Sequence, residues 1–187
     1  MIQKSNFPSL SDNIKRKDKK MKLIAAVNNN WGIGKNNDLL YHIPSDMKFF
    51  RSKTKDNVII IGRKTLESFP GGMPLKNRVN IVLTRDKSYK CADTVIVHSI
   101  EDIAEEIKKY SDKEIYLCGG EAIYGLLFPY CNEAYITKVQ DGSNCDKYMV
   151  NLDLHPDWFK SEESDLYEED GFKFFFCTYI NKNVKEF

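Results

Sequence analysis

The side chain best placed to do chemistry in this chain is the carboxylate of Asp46, in the run Leu40-Tyr41-His42-Ile43-Pro44-Ser45-Asp46-Met47-Lys48-Phe49-Phe50. Proline has the fixed φ of a first helical turn and loses no bond there, because the N–H it lacks would have had no partner. Pro44 therefore predicts a short helix with Asp46 at its head, and Phe49 and Phe50 share a face with the acid. Two readings of such an acid stand. Either it only complements the positive end of the helix dipole, or it sits in an apolar pocket, where a bare charge is costly, awaiting a cationic, amidine-like ligand.

Two junctions of strand, glycine and helix are the second chemical feature. Ile59-Ile60-Ile61-Gly62 runs into Arg63-Lys64-Thr65, and Ile115-Tyr116-Leu117-Cys118 runs into Gly119-Gly120-Glu121-Ala122. Helix starts at the carboxyl ends of strands offer free N–H groups to a phosphate, and glycine lets backbone approach it closely. Taken alone, Gly119-Gly120 is also compatible with an ordinary turn. Arg63, Lys64 and Arg85, the last just after Leu83-Thr84, bring three cations to one edge. Arginine's forked donors suit a phosphate on a ribose; plain surface charge flanking buried strands is the other reading.

The elements that must hold these groups follow from periodicity. Apolar runs predict strands over 23–27, 58–61, 79–83, 95–97, 115–118, 135–139 and 174–180, and several are apolar throughout, which suits strands covered on both faces. Between them, helices are predicted over 45–52, 64–69, 100–110 and 122–128, with Ser99 and Asp102 forming a variant capping box. The alternation implies a single-domain α/β fold on a mixed, mostly parallel twisted sheet, with an antiparallel ending around the acidic stretch near the C-terminus.

Composition bounds the rest. A chain of 187 residues with 42% apolar and 12% aromatic side chains suits one folded domain and leaves no room for a fused second enzyme. Residues 1–20 hold six Lys/Arg and two Asp without hydrophobic periodicity, and read as a flexible basic extension ahead of a domain spanning 21–187. The remainder holds 22 basic and 25 acidic side chains, which gives no support for nucleic-acid binding. Five cysteines without a Cys-x-x-Cys pair argue against a disulfide framework and for a reducing, cytoplasmic setting. His42, His98 and His155 lack ligand spacing, so no metal is expected. No run approaches the ~20 apolar residues of a membrane span.

Lys22-Leu23-Ile24-Ala25-Ala26-Val27, Trp31-Gly32-Ile33-Gly34 with Asn37, Asp46 behind its proline, Gly62-Arg63-Lys64-Thr65, Leu75 with Arg78, and Gly119-Gly120 succeed one another in an order that resembles the dihydrofolate reductases. The resemblance runs from about Met21 to the C-terminus. It implies a sheet of about eight strands flanked by about four helices, NADPH as cofactor, reduction of dihydrofolate to tetrahydrofolate for one-carbon metabolism, antifolates as inhibitors, and a monomer. It makes Asp46 the catalytic acid, steadied by Thr137. Ile24, Ala25, Ala26, Met47, Phe50, Ser68, Phe69, Leu75, Cys118 and Tyr124 would border the substrate, and Arg78 would hold the carboxylate of its glutamate tail.

The same resemblance gives the cofactor to Ala26, to Ile33, Gly34, Asn37 and Leu39 in and just after a glycine-rich lid over 28–38, to Gly62, Arg63, Lys64 and Thr65, and to Leu83, Thr84 and Arg85. Gly119, Gly120, Glu121, Ala122, Ile123 and Tyr124 complete its set, with a cis peptide between the two glycines; His98 falls near the same edge. A related reductase of riboflavin biosynthesis and a non-catalytic nucleotide-binding module are the alternatives. Asp46 and Arg78 suit them less than a pterin with a carboxylate tail.

This chain departs from that family's usual pattern at Tyr41, where it commonly has Trp, at Cys118, where it has Ile or Val, at Cys145-Asp146, where it has Gly-Asp, and in the Lys76-Asn77 pair. Tyr41 and Cys118 predict weaker binding of diaminopyrimidine inhibitors than in typical bacterial members. Inhibitor titration of the protein and of Tyr41→Trp checks this; ordinary inhibition that the substitution leaves unchanged contradicts it.

Overall fold

The computed structural model describes residues 20–187, so the extension read over 1–20 lies, apart from Lys20, outside the described residues. In chain order the elements are β1 (Met21–Val27), β2 (Gly32–Lys35), β3 (Asp38–Leu39), α1 (Pro44–Thr54), β4 (Val58–Gly62), α2 (Arg63–Ser68), β5 (Val79–Leu83) and β6 (Val95–Val97). There follow α3 (Ile100–Ile107), β7 (Ile115–Leu117), α4 (Glu121–Leu127), β8 (Cys131–Val139), β9 (Lys147–Tyr148), β10 (Trp158–Glu163), β11 (Tyr167–Glu169) and β12 (Phe172–Asn181). β4 and β7 are buried at every position, as continuous apolar runs require when both faces of a strand are covered.

The main sheet has the order β10-β12-β8-β1-β7-β4-β5-β6, with β11 paired to β12. The pairings from β8 through β1, β7, β4 and β5 to β6 are parallel, while β12 runs antiparallel to β8 and β10 antiparallel to β12. The mixed, mostly parallel sheet and its antiparallel ending therefore stand as read from the sequence, with eight strands on the main path and four α-helices among the described residues. Because the parallel strands point one way, the ends of β1, β4, β5, β7 and β8 open on a common rim. Ligands of open α/β sheets gather at such a rim.

Four elements differ from the sequence reading. α1 begins at Pro44 and runs through Thr54, whose hydroxyl donates to the Phe50 carbonyl at 2.8 Å and extends the helix beyond 52. α3 stops at Ile107, short of 110, although its capping box of Ser99 and Asp102 is present. β10 was missed because only Trp158 is buried along it. Its Lys160, Glu162 and Glu163 are the charges that protect an edge strand from further pairing. β11 was missed although Asp170-Gly171, with φ of 50° and 79°, makes the two-residue turn that this dipeptide favours.

A three-stranded sheet, β3-β2-β9, was also unforeseen. Asn36 and Asn37, with φ of 52° and 63°, close its hairpin in the same left-handed turn conformation.

Asn80 on β5 shows how a strand end fixes a loop. Its side chain accepts from the Leu75 N–H at 3.0 Å and donates to the carbonyls of Leu75 and Arg78 at 2.9 and 3.1 Å, while only 3% exposed. Asn80→Ala leaves these groups without partners and is expected to lower stability by about 2–4 kcal/mol. Urea unfolding of the variant measures the loss, and a change below about 1 kcal/mol contradicts it.

Candidate active site

α1 has no capping side chain of its own at Ile43. Glu169 at the end of β11 supplies the acceptor instead, taking the Ser45 N–H at 2.9 Å and fixing the start of the helix. A carboxylate there also meets the positive end of the dipole. Asp46 is held one residue further on. Burial pushes its carboxyl above the usual carboxylate range, a hydrogen bond from the Thr137 side chain opposes that shift, and no charged neighbour contributes. Asp46 is half-buried in the first turn of α1, so it meets both the positive end of the helix dipole and an environment that disfavours its charge.

Thr137 lies on β8 opposite Ala26 of β1, and is 1% exposed. Tyr124 of α4 is buried and its hydroxyl donates to the Ile24 carbonyl at 2.6 Å, tying that helix to β1. Burial above all, with Cys118, Cys131 and Asp46 adding, pushes its phenol well up. Phe50, Phe69, Leu75 and Cys118 pack with Ile24 in one apolar cluster, so these expected wall residues do come together. Ala25 and Ala26 are half-buried, whereas Met47 is exposed. The Ser68 hydroxyl is spent within its own helix, on the Thr65 carbonyl at 2.8 Å.

Arg78 stands at one end of this wall. Its Nε donates to Thr54 Oγ1 at 3.0 Å and its Nη1 to the Lys76 carbonyl at 2.8 Å, with the guanidinium 6.0 Å from the Phe50 ring. Together with Arg51, Lys55, Leu75, Lys76 and Asn77 it lines an open cleft of about 450 Å³ that contains no carboxylate. Arg51 and Lys55 went unremarked in the sequence. Their four-residue spacing at the C-terminal end of α1 was the available signal.

At the rim, the two glycine junctions touch: the Gly62 N–H donates to the Gly119 carbonyl at 2.8 Å. The Gly119–Gly120 peptide is cis. α2 and α4 start from Gly62 and Gly120 without a capping side chain, leaving backbone N–H groups free. A Cβ on Gly62 would lie 2.9 Å from Ile123 Cγ1, and one on Gly120 3.1 Å from Thr65 Oγ1; Gly119, at φ +108°, would press one to 3.0 Å from the Tyr124 ring. Gly62, Thr65, Gly119, Gly120, Ile123 and Tyr124 are therefore one packed group.

The neighbouring residues divide. Glu121 spends its carboxylate on the Tyr148 N–H at 3.0 Å, and Ala122 is exposed. Leu83 and Thr84 are buried at the end of β5, and the Thr84 carbonyl meets His98 Nδ1 at 2.8 Å. Arg63 pairs with Glu67 at 2.7 Å and faces the Tyr89 ring at 5.9 Å, while Lys64 and Arg85 are exposed. Arg63 and Lys64 follow the end of β4 and Arg85 follows the end of its parallel neighbour β5, with Arg63 the most constrained.

The segment 28–38 follows directly from the end of β1 at this rim. Asn28 Oδ1 accepts from the N–H groups of Asn30 and Gly32 at 2.9 and 2.8 Å, and its Nδ2 donates to the Ser143 carbonyl at 2.9 Å. Ile33 is half-buried, Gly34 buried, and Asn37 and Leu39 exposed. Cys145 and Asp146 both contact the segment: Asp146 Oδ2 accepts from the Asn36 N–H at 3.1 Å, and Cys145 Sγ fills the space a Cβ on Gly32 would need. Tyr41 does not turn its hydroxyl to Asp46. It donates to Asp141 Oδ2 at 2.7 Å, a pair that sequence reasoning missed because the two residues lie 100 positions apart.

A model of the dihydrofolate reductase family matches residues 20–181. The chain belongs to the dihydrofolate reductase family. It is 35% identical over 164 residues to a dihydrofolate reductase of Staphylococcus haemolyticus, covering 86% of this chain and 95% of that one. With the Bacillus subtilis enzyme identity is 34% over 162 residues, covering 86% and 94%. A solved structure of Enterococcus faecalis dihydrofolate reductase, complexed with NADP(H) and RAB-propyl, superposes with a TM-score of 0.74 at 30% identity, covering 88% of this chain and 97% of that one. For a dihydrofolate reductase family member the riboflavin-type and non-catalytic alternatives are not favoured.

The raised pKa of Asp46 has a stability consequence. A carboxyl that holds its proton more tightly folded than unfolded favours the fold below the ordinary carboxylate pKa of about 3.9, and that advantage is lost as pH rises through the raised value. In the free protein, Asp46→Asn is therefore expected to melt above the parent at pH 7, with the gap closing on acidification to about pH 4. Melting curves across pH check this; a variant that is less stable at neutral pH contradicts it.

Proposed function

We propose that this chain reduces 7,8-dihydrofolate to 5,6,7,8-tetrahydrofolate with NADPH. The observation that carries the reading is a half-buried carboxyl group without a countercharge at the head of α1, beside an apolar wall, in a fold whose strand ends carry two uncapped helix starts.

The residues present fit the cofactor. The free N–H groups at the starts of α2 and α4, and glycines whose Cβ positions are already occupied by neighbours, leave bare backbone for a pyrophosphate. Thr65, Gly119, Gly120, Ala122 and Ile123 would hold it there, and Arg63, Lys64 and Arg85 would meet the phosphate that distinguishes NADPH from NADH. When bound, NADPH supplies a hydride from its nicotinamide ring.

The chain's own groups orient and protonate. Ile24, Ala25, Ala26, Phe50, Phe69 and Cys118 border a flat pterin, and Asp46 accepts hydrogen bonds from its 2-amino and N3 hydrogens. That charge-assisted pair fixes the ring and favours protonation at N5, which a water delivers because N5 lies beyond the carboxylate's reach. Thr137 keeps the carboxylate in place. Arg78, already braced by Thr54 and Lys76, binds the carboxylate of the glutamate tail, and Arg51, Lys55 and Lys76 raise the local potential. Segment 28–38 closes as a lid and excludes water from the reacting rings.

The 22 basic and 25 acidic side chains beyond residue 20 support a catalytic domain over 21–187 without a nucleic-acid partner. Five unbridged cysteines support a cytoplasmic setting, and a monomer is our reading of the assembly. Among the described residues no helix is long and apolar enough to cross a membrane.

NADPH consumption with dihydrofolate tests the reading. Asp46→Asn is expected to keep NADPH binding while turnover falls about 10²–10⁴-fold. Arg78→Leu is expected to raise the KM for dihydrofolate about 10–100-fold with kcat within about threefold, since a lost charged hydrogen-bond partner weakens binding more than chemistry. NADPH that binds without being consumed by the unaltered protein overturns the assignment.

A further inference from the structure

One residue bonds to both flanks of the segment read above as a lid, to Asn29 near its start and to Tyr41 three residues past its end. At the entry, the Asn29 N–H donates to the backbone carbonyl of Asp141 at 3.0 Å; at the exit, the Tyr41 hydroxyl donates to the side chain of the same Asp141 at 2.7 Å. Asp141 is itself anchored to the main sheet. Its N–H donates to the Val139 carbonyl at 2.8 Å, and the N–H of Gln140 beside it donates to the Lys173 carbonyl of β12 at 2.8 Å.

The exit end is rooted in the core. The Tyr41 ring is 4% exposed, meets Phe172 edge-on at 5.3 Å, and packs in one cluster with Ile43, Val139 and Phe174. Three residues later Pro44 begins the helix that carries Asp46. Hydrogen bonds from Ser143 and Tyr41 hold the Asp141 carboxyl below the usual carboxylate range, so the bond from the phenol is charge-assisted and among the stronger kinds available to side chains.

We propose that Asp141 is a positioning residue for the reduction, a single clamp whose carbonyl and carboxylate set the two hinges of the lid together, so that loosening either contact loosens both. The inference rests on the reading of 28–38 as a lid over the cofactor. Tyr41 is the part of the clamp that a change of one hydroxyl can remove. The middle of the lid is held separately, by the pairing of β2 with β9, and stays in place when the clamp opens.

The test uses the free, full-length protein, so its outcome does not depend on turnover. Amide hydrogen exchange is followed by NMR in the parent, Tyr41→Phe, Asp141→Ala, Asp141→Asn and the double variant Tyr41→Phe/Asp141→Ala. Tyr41→Phe keeps the buried ring, and thermal melts confirm that each variant folds. The clamp predicts that Tyr41→Phe speeds exchange about tenfold at Asn29 as well as around residues 38–41, that Asp141→Ala does the same, and that the double variant adds nothing further. Asp141→Asn, which keeps an acceptor oxygen, should fall between Asp141→Ala and the parent.

The second readout is the rate at which NADPH leaves, followed by the fluorescence of Trp31, which sits within the lid, in a Trp158→Phe background. It should rise about tenfold in Tyr41→Phe, while kcat at saturating cofactor stays within about threefold. Faster exchange near residue 41 with Asn29 unchanged, or additive effects in the double variant, overturns the single clamp. Failure of the parent to consume NADPH with dihydrofolate would instead overturn the functional reading, and leaves the exchange result to be judged by itself.

Discussion

A half-buried carboxyl that burial pushes above the usual carboxylate range, with no cation beside it, is the constraint on which this structure turns. Such a group destabilises the free protein, and a neutral side chain of the same shape would spare it that penalty. The fold nonetheless spends several elements on holding Asp46 in that place. Pro44 sets the start of α1, Glu169 crosses from the β11–β12 hairpin to bond the Ser45 N–H, and Thr137 on β8 offers its hydroxyl. A ligand that presents paired N–H donors, or carries a positive charge, turns the penalty into affinity.

The rest of the site follows from running the central strands in parallel. That arrangement brings the ends of β1, β4, β5, β7 and β8 to one rim, where backbone N–H groups at two helix starts have no side-chain acceptor. The hydrogen bond from Gly62 to Gly119 locks the two junctions together, and neighbouring side chains fill the volume any Cβ would occupy. Opposite charges are kept apart along α1. Arg51, Lys55, Lys76 and Arg78 gather around one cleft, while Asp46 sits at the first turn of the helix whose last turns carry Arg51 and Lys55's neighbour Thr54.

Much of this was legible in the sequence, because burial on both faces leaves continuous apolar runs and the runs at 58–61, 79–83 and 95–97 became strands with almost those bounds. The helix start ahead of Asp46 and the two glycine junctions were legible for a related reason, since a local signal, proline or glycine beside an apolar run, marks each one, whereas Arg78 was singled out through the family resemblance alone. What escaped was non-local or half-exposed. Lys160, Glu162 and Glu163 hid β10, and the bonds of Glu169 to Ser45 and of Tyr41 to Asp141 join residues more than a hundred positions apart in one case and at that distance in the other. Asp170-Gly171 was a turn signal that could have revealed β11.

The most direct test of the central claim is a carbon-13 NMR titration of the Asp46 carboxyl, first in the free protein and then with a diaminopyrimidine bound. The account predicts a carboxyl that titrates above the ordinary range of about 3.9 when free, and that stays ionised well below it once the ligand's N–H groups and charge are in place. A carboxyl with an ordinary pKa that the ligand leaves unmoved would mean that Asp46 is only a first-turn acid, and would contradict the role given to it.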